Sequence, residues 1–321
     1  MNILAINSNI LSFISENSYE SLLSSIDGLK SDEFEIKKIK EIDKIDPNNV
    51  FKSFQFKVID KLRAKKSSWD VYYHQNISLV VHYLESLATH IKCLSDENKD
   101  IDHPLDIARD VLLMYIDFKQ RYEYLINSNS YEAPAGITMH NHSMGTHIKL
   151  NALLYHGSGF SPRELVPLTV FEIRQLIETK IYHSFGLEFV YDENSDEFRL
   201  SIIPTKVFFE FLTRKDIKEC ITFVKKDFLT TLQSIYTWTN EYIHTGRFNY
   251  YWQIFYAIYL LKNLNMGMPP NEKGFNADSG VQIKKTKLEY IQNEFEKYIN
   301  EGSQNKNLKC HFEKIQGVEI E

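Results

Sequence analysis

Glycine and proline are scarce, with 12 and 8 in 321 residues. Folds made of many short strands need both as turn punctuation, so that class is disfavoured and long helices are favoured. Cysteine is scarcer still: Cys93, Cys220 and Cys310, with no C-x-x-C pair. An odd, dispersed set excludes a disulfide framework and fits a reducing cytoplasm. There is no basic surplus, since 37 Lys and Arg face 43 Asp and Glu for a net charge of −6. A chain-wide phosphate-binding surface usually shows such a surplus. The local clusters at Lys61, Arg63, Lys65 and Lys66, and at Lys284, Lys285 and Lys287, read as solvated helix faces. No apolar run is long: Phe248 to Leu261 spans 14 residues and carries Asn249 and Gln253, whereas a membrane span needs about 20. No membrane partner is expected. Met1 to Ile6 has neither a basic n-region nor a cleavage pattern, so no secretory signal is expected and the location is read as cytoplasmic.

What is abundant is hydrophobic and aromatic. Hydrophobic residues make up 43% of the chain and aromatics 13%, with 19 Tyr and 21 Phe. That supports one large core or two smaller ones. The many Asn, Lys and Ile residues point to an AT-rich, bacterial genome.

Hydrophobic period locates the helices. Tyr73, Ile77, Val80, Val81, Leu84, Leu87, Ala88 and Ile91 fall on one face within 70–92. Leu105, Ala108, Val111, Leu112, Tyr115, Tyr122 and Leu125 do so within 104–126, behind an Asp102-His103-Pro104 start. A third helix, 167–182, follows Ser161-Pro162-Arg163-Glu164, which resembles a capping box. From Asp216 a stripe of Ile217, Ile221, Val224, Phe228, Leu232, Ile235, Thr239 and Tyr242 predicts one helix stopping at Thr245-Gly246. The nearly all-round apolar 248–261 reads as a central or interface helix. Leu288, Ile291, Phe295 and Ile299 predict another over 283–300. The period changes at 187–203, where Leu187–Tyr191 and Phe198–Ile203 flank a polar loop and predict a hairpin. Residues 1–48 are ambiguous, with short apolar pieces at Ile3–Ile6 and Phe34–Ile42; 131–161 reads as a long loop broken by one short helix at about 147–155, and 265–280 reads as another loop.

The fold class expected is therefore mainly α. It is a multi-helix bundle with one inserted β-hairpin near 187–203 and an irregular or partly β N-terminal region. The organisation expected is an N-terminal helical region 1–130, a helical domain with the hairpin at 131–301 and a loose tail 302–321, with a single undivided domain as the alternative.

Two groups of residues carry chemistry. His140, His142 and His147 lie in a Gly-flanked loop, and close neutral imidazoles can bind zinc. Against this, Met144 and Gly145 stand where a metallo-β-lactamase pattern needs Asp and His, and polar loop histidines are the plainer reading. The second group is on helices. Arg174 and Glu178 are four residues apart and share a face. Arg174 sits roughly 60° from the apolar stripe at ~100° per residue. A charge so placed needs a partner, which Glu178 supplies locally; Asn240 or His244 would add another if their helix packs alongside. Gly157-Ser158-Gly159 and the serines near the histidines match no nucleotide or hydrolase motif. The aromatic run from Tyr236 to Tyr259 reads as core before it reads as a base-stacking platform.

A helix bearing Arg174-x-x-x-Glu178, followed by a helix ending Asn240-x-x-x-His244-x-Gly246, resembles the HEPN-type helical bundles, including abortive-infection domains. The resemblance covers about 165–262. It implies a bacterial defence or stress-response protein, a homodimer, and RNA as partner or substrate. Arg174, Glu178, Asn240 and His244 would then be the catalytic set, Arg174 steadying phosphate charge and His244 moving a proton. The family's catalytic signature, Arg then four to six residues then His, occurs at no Arg here; His183 is nine residues past Arg174. Whether the chain is an enzyme stays open, and no cofactor is expected. Two alternatives stand beside this reading: a non-catalytic interaction module dimerising through 248–261, and a metalloprotein using His140, His142 and His147.

Overall fold

A computed structural model describes residues 8–31, 41–51, 66–127, 162–194, 203–223, 225–245, 250–264, 281–283, 285–302 and 307–312. Helix accounts for 77% of the described residues, so the chain is mainly α. In chain order the helices are α1 (Ser8–Glu16), α2 (Tyr19–Ser31), α3 (Pro47–Val50), α4 (Lys66–Asp96), α5 (Asp102–Asn127) and α6 (Pro162–Ser184), then α7 (Thr205–Thr213), α8 (Lys215–Lys218), α9 (Phe228–Thr245), α10 (Tyr251–Asn263) and α11 (Leu288–Glu301). The strands are β1 (Leu187–Asp192), β2 (Ile221–Phe223), β3 (Val281–Ile283) and β4 (Leu308–Phe312). The chain divides into two compact units, Met1–Val170 with Trp238–Tyr256, and Phe171–Thr237 with Ala257–Glu321.

In the first unit the described N-terminal segments are helical, not β. Ile10 and Phe13 of α1, and Leu22, Ile26 and Leu29 of α2, recur at three- and four-residue steps and are buried. Asn17 ends α1 in the left-handed region at φ 50°, its N–H donating to Phe13 O at 2.8 Å. Ser18 and Ser21 then cap α2 reciprocally, each backbone N–H donating to the other's hydroxyl at 3.2 and 3.3 Å. Ile3–Ile6 and residues 34–40 lie outside the described set. Asp46-Pro47-Asn48-Asn49, a turn signal in the sequence, opens α3: Asp46 accepts from Asn48 N at 2.9 Å and Pro47 takes the first turn.

The long helices α4 and α5 bury the described part of the stripes their sequences display; the Tyr122 and Leu125 side chains lie outside the described residues. The α4 set from Tyr73 to Ile91 is buried, as are Leu105, Ala108, Val111, Leu112 and Tyr115 of α5. Asn98, at φ 53°, closes α4 as Asn17 closes α1. One polar network sits inside this core. Asn76, fully buried, donates to Tyr72 O at 3.0 Å and accepts from Trp252 Nε1 at 2.9 Å. The adjoining Gln253 amide donates to Val50 O at 3.2 Å, and Tyr256 OH donates to Ile45 O. Each polar group of this network thus brings its partner, which avoids the cost of an unpaired buried donor. Trp252 and Tyr256 are fully buried and Trp238 nearly so. Trp238, Trp252 and Tyr256 of the aromatic run are therefore core: Trp252 stacks on Tyr250 and meets Phe118, while Phe51 packs on Trp238 and Tyr256.

In the second unit Gly186, at φ 70°, turns the chain from α6 into β1. The strand expected at Leu187–Tyr191 forms, and its described partner is β4, antiparallel, with Val190 opposite Cys310. The other expected arm lies outside the described residues up to 202, and Ile203 is not in a strand. Residues 308–312, expected in a loose tail, are thus tied into a sheet. Helix α11 closes that strand's outer edge. Asn300 donates to Leu308 O and accepts from Leu308 N, both at 2.8 Å, and Glu296 accepts from Cys310 N at 2.9 Å. Side chains there satisfy a backbone edge that would otherwise invite another strand. Burial, with Glu296 nearby, pushes the Cys310 thiol up to about 12, leaving it neutral and unreactive near pH 7.

The helix expected from Asp216 is also corrected. Asp216 to Glu219 opens one turn only, α8; Ile221-Thr222-Phe223 then leaves the helix as β2 and pairs with β3, and α9 begins at Phe228. A β-branched and aromatic triplet favours the ladder once a partner is present. The rest of the stripe holds: Phe228, Leu232, Ile235 and Thr239 are buried on α9. Helix α7 had no counterpart in the sequence reading. Pro204 leads into it, and Phe208 and Phe211 pack against Phe295 of α11 at ring distances of 4.2 and 5.2 Å. At the α7–α8 turn Arg214 grips Asp216 through two bonds, 2.6 and 3.2 Å, and reaches Glu294 at 3.0 Å. The bond to Arg214 holds the Asp216 carboxyl below its usual range; Lys297 first and Arg214 second do the same for Glu294.

Two outcomes follow. Asn76→Ala leaves the buried Trp252 N–H without its acceptor and should cost about 1–3 kcal/mol in urea unfolding; a loss under about 0.5 kcal/mol, a small surface-type effect, would contradict the network's role. Depressed carboxylates stabilise the fold above their unfolded pKa, and that contribution is lost as pH falls through the folded values. The stability gap between wild type and Arg214→Ala should therefore narrow, by under about 1 kcal/mol, below about pH 4, leaving what the guanidinium contributes by lying over the Phe211 and Tyr298 rings. A gap that does not change in acid would contradict the ion-pair assignment.

Candidate functional site

On α6 the sequence buries Val170, Ile173, Ile177 and Ile181 and leaves Arg174 and Glu178 on the flank of that stripe. The expected pair forms: Arg174 Nε donates to Glu178 Oε1 at 2.9 Å. Both side chains keep about a quarter of their surface, 24% and 28%.

That same carboxylate oxygen is shared. Tyr236 of α9 donates its hydroxyl to Glu178 Oε1 at 3.0 Å, and Thr205, at the start of α7, approaches it at 3.3 Å. Tyr182 lies one turn further along α6. Its hydroxyl donates to Ile203 O at 2.8 Å and meets Thr205 Oγ1 at 3.1 Å. Since Tyr182 spends its proton on Ile203, the one Thr205 proton is divided between Glu178 and Tyr182. This makes the Thr205 bond to Glu178 the weakest of the three, in keeping with its length. The Arg174 guanidinium also lies over the Tyr236 ring, 5.6 Å from its centre.

Electrostatics follow from these contacts. Burial pulls the Arg174 pKa down, but the bond to Glu178 and the charge of Glu178, helped by Tyr236, outweigh it and leave it above the ordinary arginine value. Burial raises the Tyr182 phenol, so it stays a neutral donor. The arrangement is a permanent cation held along one edge by Glu178 of its own helix and on one face by Tyr236 of α9. A guanidinium held this way is a candidate contact for an anion. None of the groups described around Glu178 is a histidine or cysteine ready to carry a proton or attack a substrate.

Nothing described joins the other expected site residues to this pair. Asn240 is half-buried on α9 and, with His244, belongs to the first unit; the His244 side chain lies outside the described residues. His140, His142 and His147 lie outside them too. Among the described residues no cluster of His, Cys, Asp or Glu is arranged to hold a metal, and no helix is long and apolar enough to cross a membrane. Tyr236 and Thr205 were missed by sequence reasoning, because α7 was unrecognised and Tyr236 read only as core. A buried tyrosine needs a hydroxyl partner, and that was the available signal.

No protein-family model, no curated protein and no solved structure matches the chain.

If Glu178 is the hub, Glu178→Ala removes the partner of the Arg174 guanidinium and an acceptor of the Tyr236 hydroxyl, while Thr205 keeps Tyr182, and should cost about 1–3 kcal/mol in urea unfolding. Glu178→Gln keeps an acceptor oxygen and should cost less. Equal costs for the two variants would show that the oxygen itself is not what matters.

Proposed function

We propose that this chain is a HEPN-like, cytoplasmic protein of a bacterial defence or stress response that binds RNA, with Arg174 as a phosphate contact. The observation that supports this is the holding of Arg174. Its Nε is fixed by Glu178 and one face by Tyr236, while a quarter of the side chain stays in water. A guanidinium oriented in advance loses less freedom on meeting a phosphate, and its planar donors suit phosphate oxygens. The acidic net charge argues for a few positioned contacts rather than a broad electrostatic surface.

The reading assigns binding and not cleavage. Cleavage would call on His244 as proton carrier, as the family resemblance implies, and the Arg-to-His spacing of that family is missing from the chain. Homodimerisation belongs to the same proposal and rests on the resemblance alone. The non-catalytic module dimerising through 248–261 has less support, because α10 spends its apolar surface internally: Trp252, Ile254, Tyr256, Ala257 and Leu261 are buried, and Ile258 is its one large hydrophobic residue exposed.

The test is RNA affinity across salt, read by fluorescence anisotropy. Arg174→Ala should weaken binding and reduce the slope of log K against log salt by about 0.7, the value for one phosphate contact on a single strand. An unchanged slope would remove Arg174 as the contact.

A further inference from the structure

The surface of α6 carries more than a cation. Phe171 stands three residues before Arg174 and is 52% exposed, the most exposed of the large hydrophobic side chains described. At about 100° per residue, Phe171, Arg174, Gln175, Glu178 and Tyr182 lie within roughly 60° of Phe171 on one side of the helix. The buried stripe of Ile173, Ile177 and Ile181 is centred roughly 120° from Phe171, with Arg174 about midway between the two. Phe171 therefore adds nothing to the core through that stripe and offers a phenyl face to water. Residues three apart on a helix are about 5–6 Å apart at Cβ. This is the scale of a nucleotide, whose base and phosphate are separated by one sugar.

We infer that Phe171 is a stacking platform for one unpaired base of a single-stranded RNA whose adjoining phosphate is held by Arg174. Gln175, exposed beside both, presents an amide that can hydrogen-bond to base or sugar. The ligand class follows from the geometry. A duplex keeps its bases stacked on each other and offers no free face, whereas a single strand offers one at every nucleotide. The inference rests on the reading of Arg174 as an RNA contact and deepens it by naming the strandedness and the second contact.

The experiment uses the full chain with a labelled single-stranded RNA of mixed sequence and with the duplex of that sequence. Phe171→Ala should weaken single-strand binding by roughly five- to a hundredfold, the range for losing one base–aromatic stack. It should leave the salt slope unchanged, because no charge is removed. Phe171→Trp should keep the affinity, and its added emission, read against wild type, should be quenched when RNA saturates the protein. Wild type should bind the duplex more weakly than the single strand. If Arg174→Ala weakens binding but Phe171→Ala stays within about twofold of wild type, less than one stack contributes, then the stacking assignment falls and the phosphate contact stands. If the Trp variant binds without quenching, stacking falls as well. If wild type binds neither RNA, both readings fall together.

Discussion

A single carboxylate oxygen organises the second unit. Glu178 Oε1 accepts from Arg174 on its own helix, from Tyr236 on α9 and, more weakly, from Thr205 at the start of α7. None of these donors could sit where it does without an acceptor, because each is at least partly withdrawn from water. The same bonds that join three elements also immobilise a cation. Structure and proposed function therefore share one arrangement: the carboxylate oxygen that Tyr236 and Thr205 approach also orients the Arg174 guanidinium.

The first unit obeys the same constraint with neutral groups. Asn76 enters the middle of an apolar helix face and is matched by Trp252, with Gln253 bridging to Val50. Such matched polar groups set the register of packed helices, since a slip of one turn would leave several of them unpaired. At the surface of the second unit, Asn300 and Glu296 apply the rule to backbone, closing the outer edge of β4. In each case a polar atom is tolerated where water is excluded because a partner meets it, from a distant part of the chain for Asn76 and Gln253.

That distance explains what could be read in the sequence. Helices α4, α5 and α11 are governed by local period, and much of their buried face was legible, although Tyr72, Leu79, Met114 and Phe118, also buried, lie beside the stripes that were read. Arg174 and Glu178 were legible for the same reason, being four apart on one helix. The pairings of β1 with β4 and β2 with β3 were not, because residues 187 and 312, or 221 and 283, share no local pattern. A helical stripe running through Ile221 was a false continuation, overruled by a strand partner some sixty residues away. Tyr236 and Thr205 went unseen because their acceptor is on another helix. The N-terminal helices were obscured by serine-rich composition, although the serines at 18 and 21 turn out to be the cap.

The most direct test of Arg174 as the RNA contact is ultraviolet crosslinking of the full chain to single-stranded RNA, with the attached peptides identified by mass spectrometry. Crosslinks concentrated on the exposed side of α6 around residues 171–182, and reduced in Arg174→Ala, are the expected result. Crosslinks that avoid α6, or that persist unchanged without the Arg174 guanidinium, would contradict it.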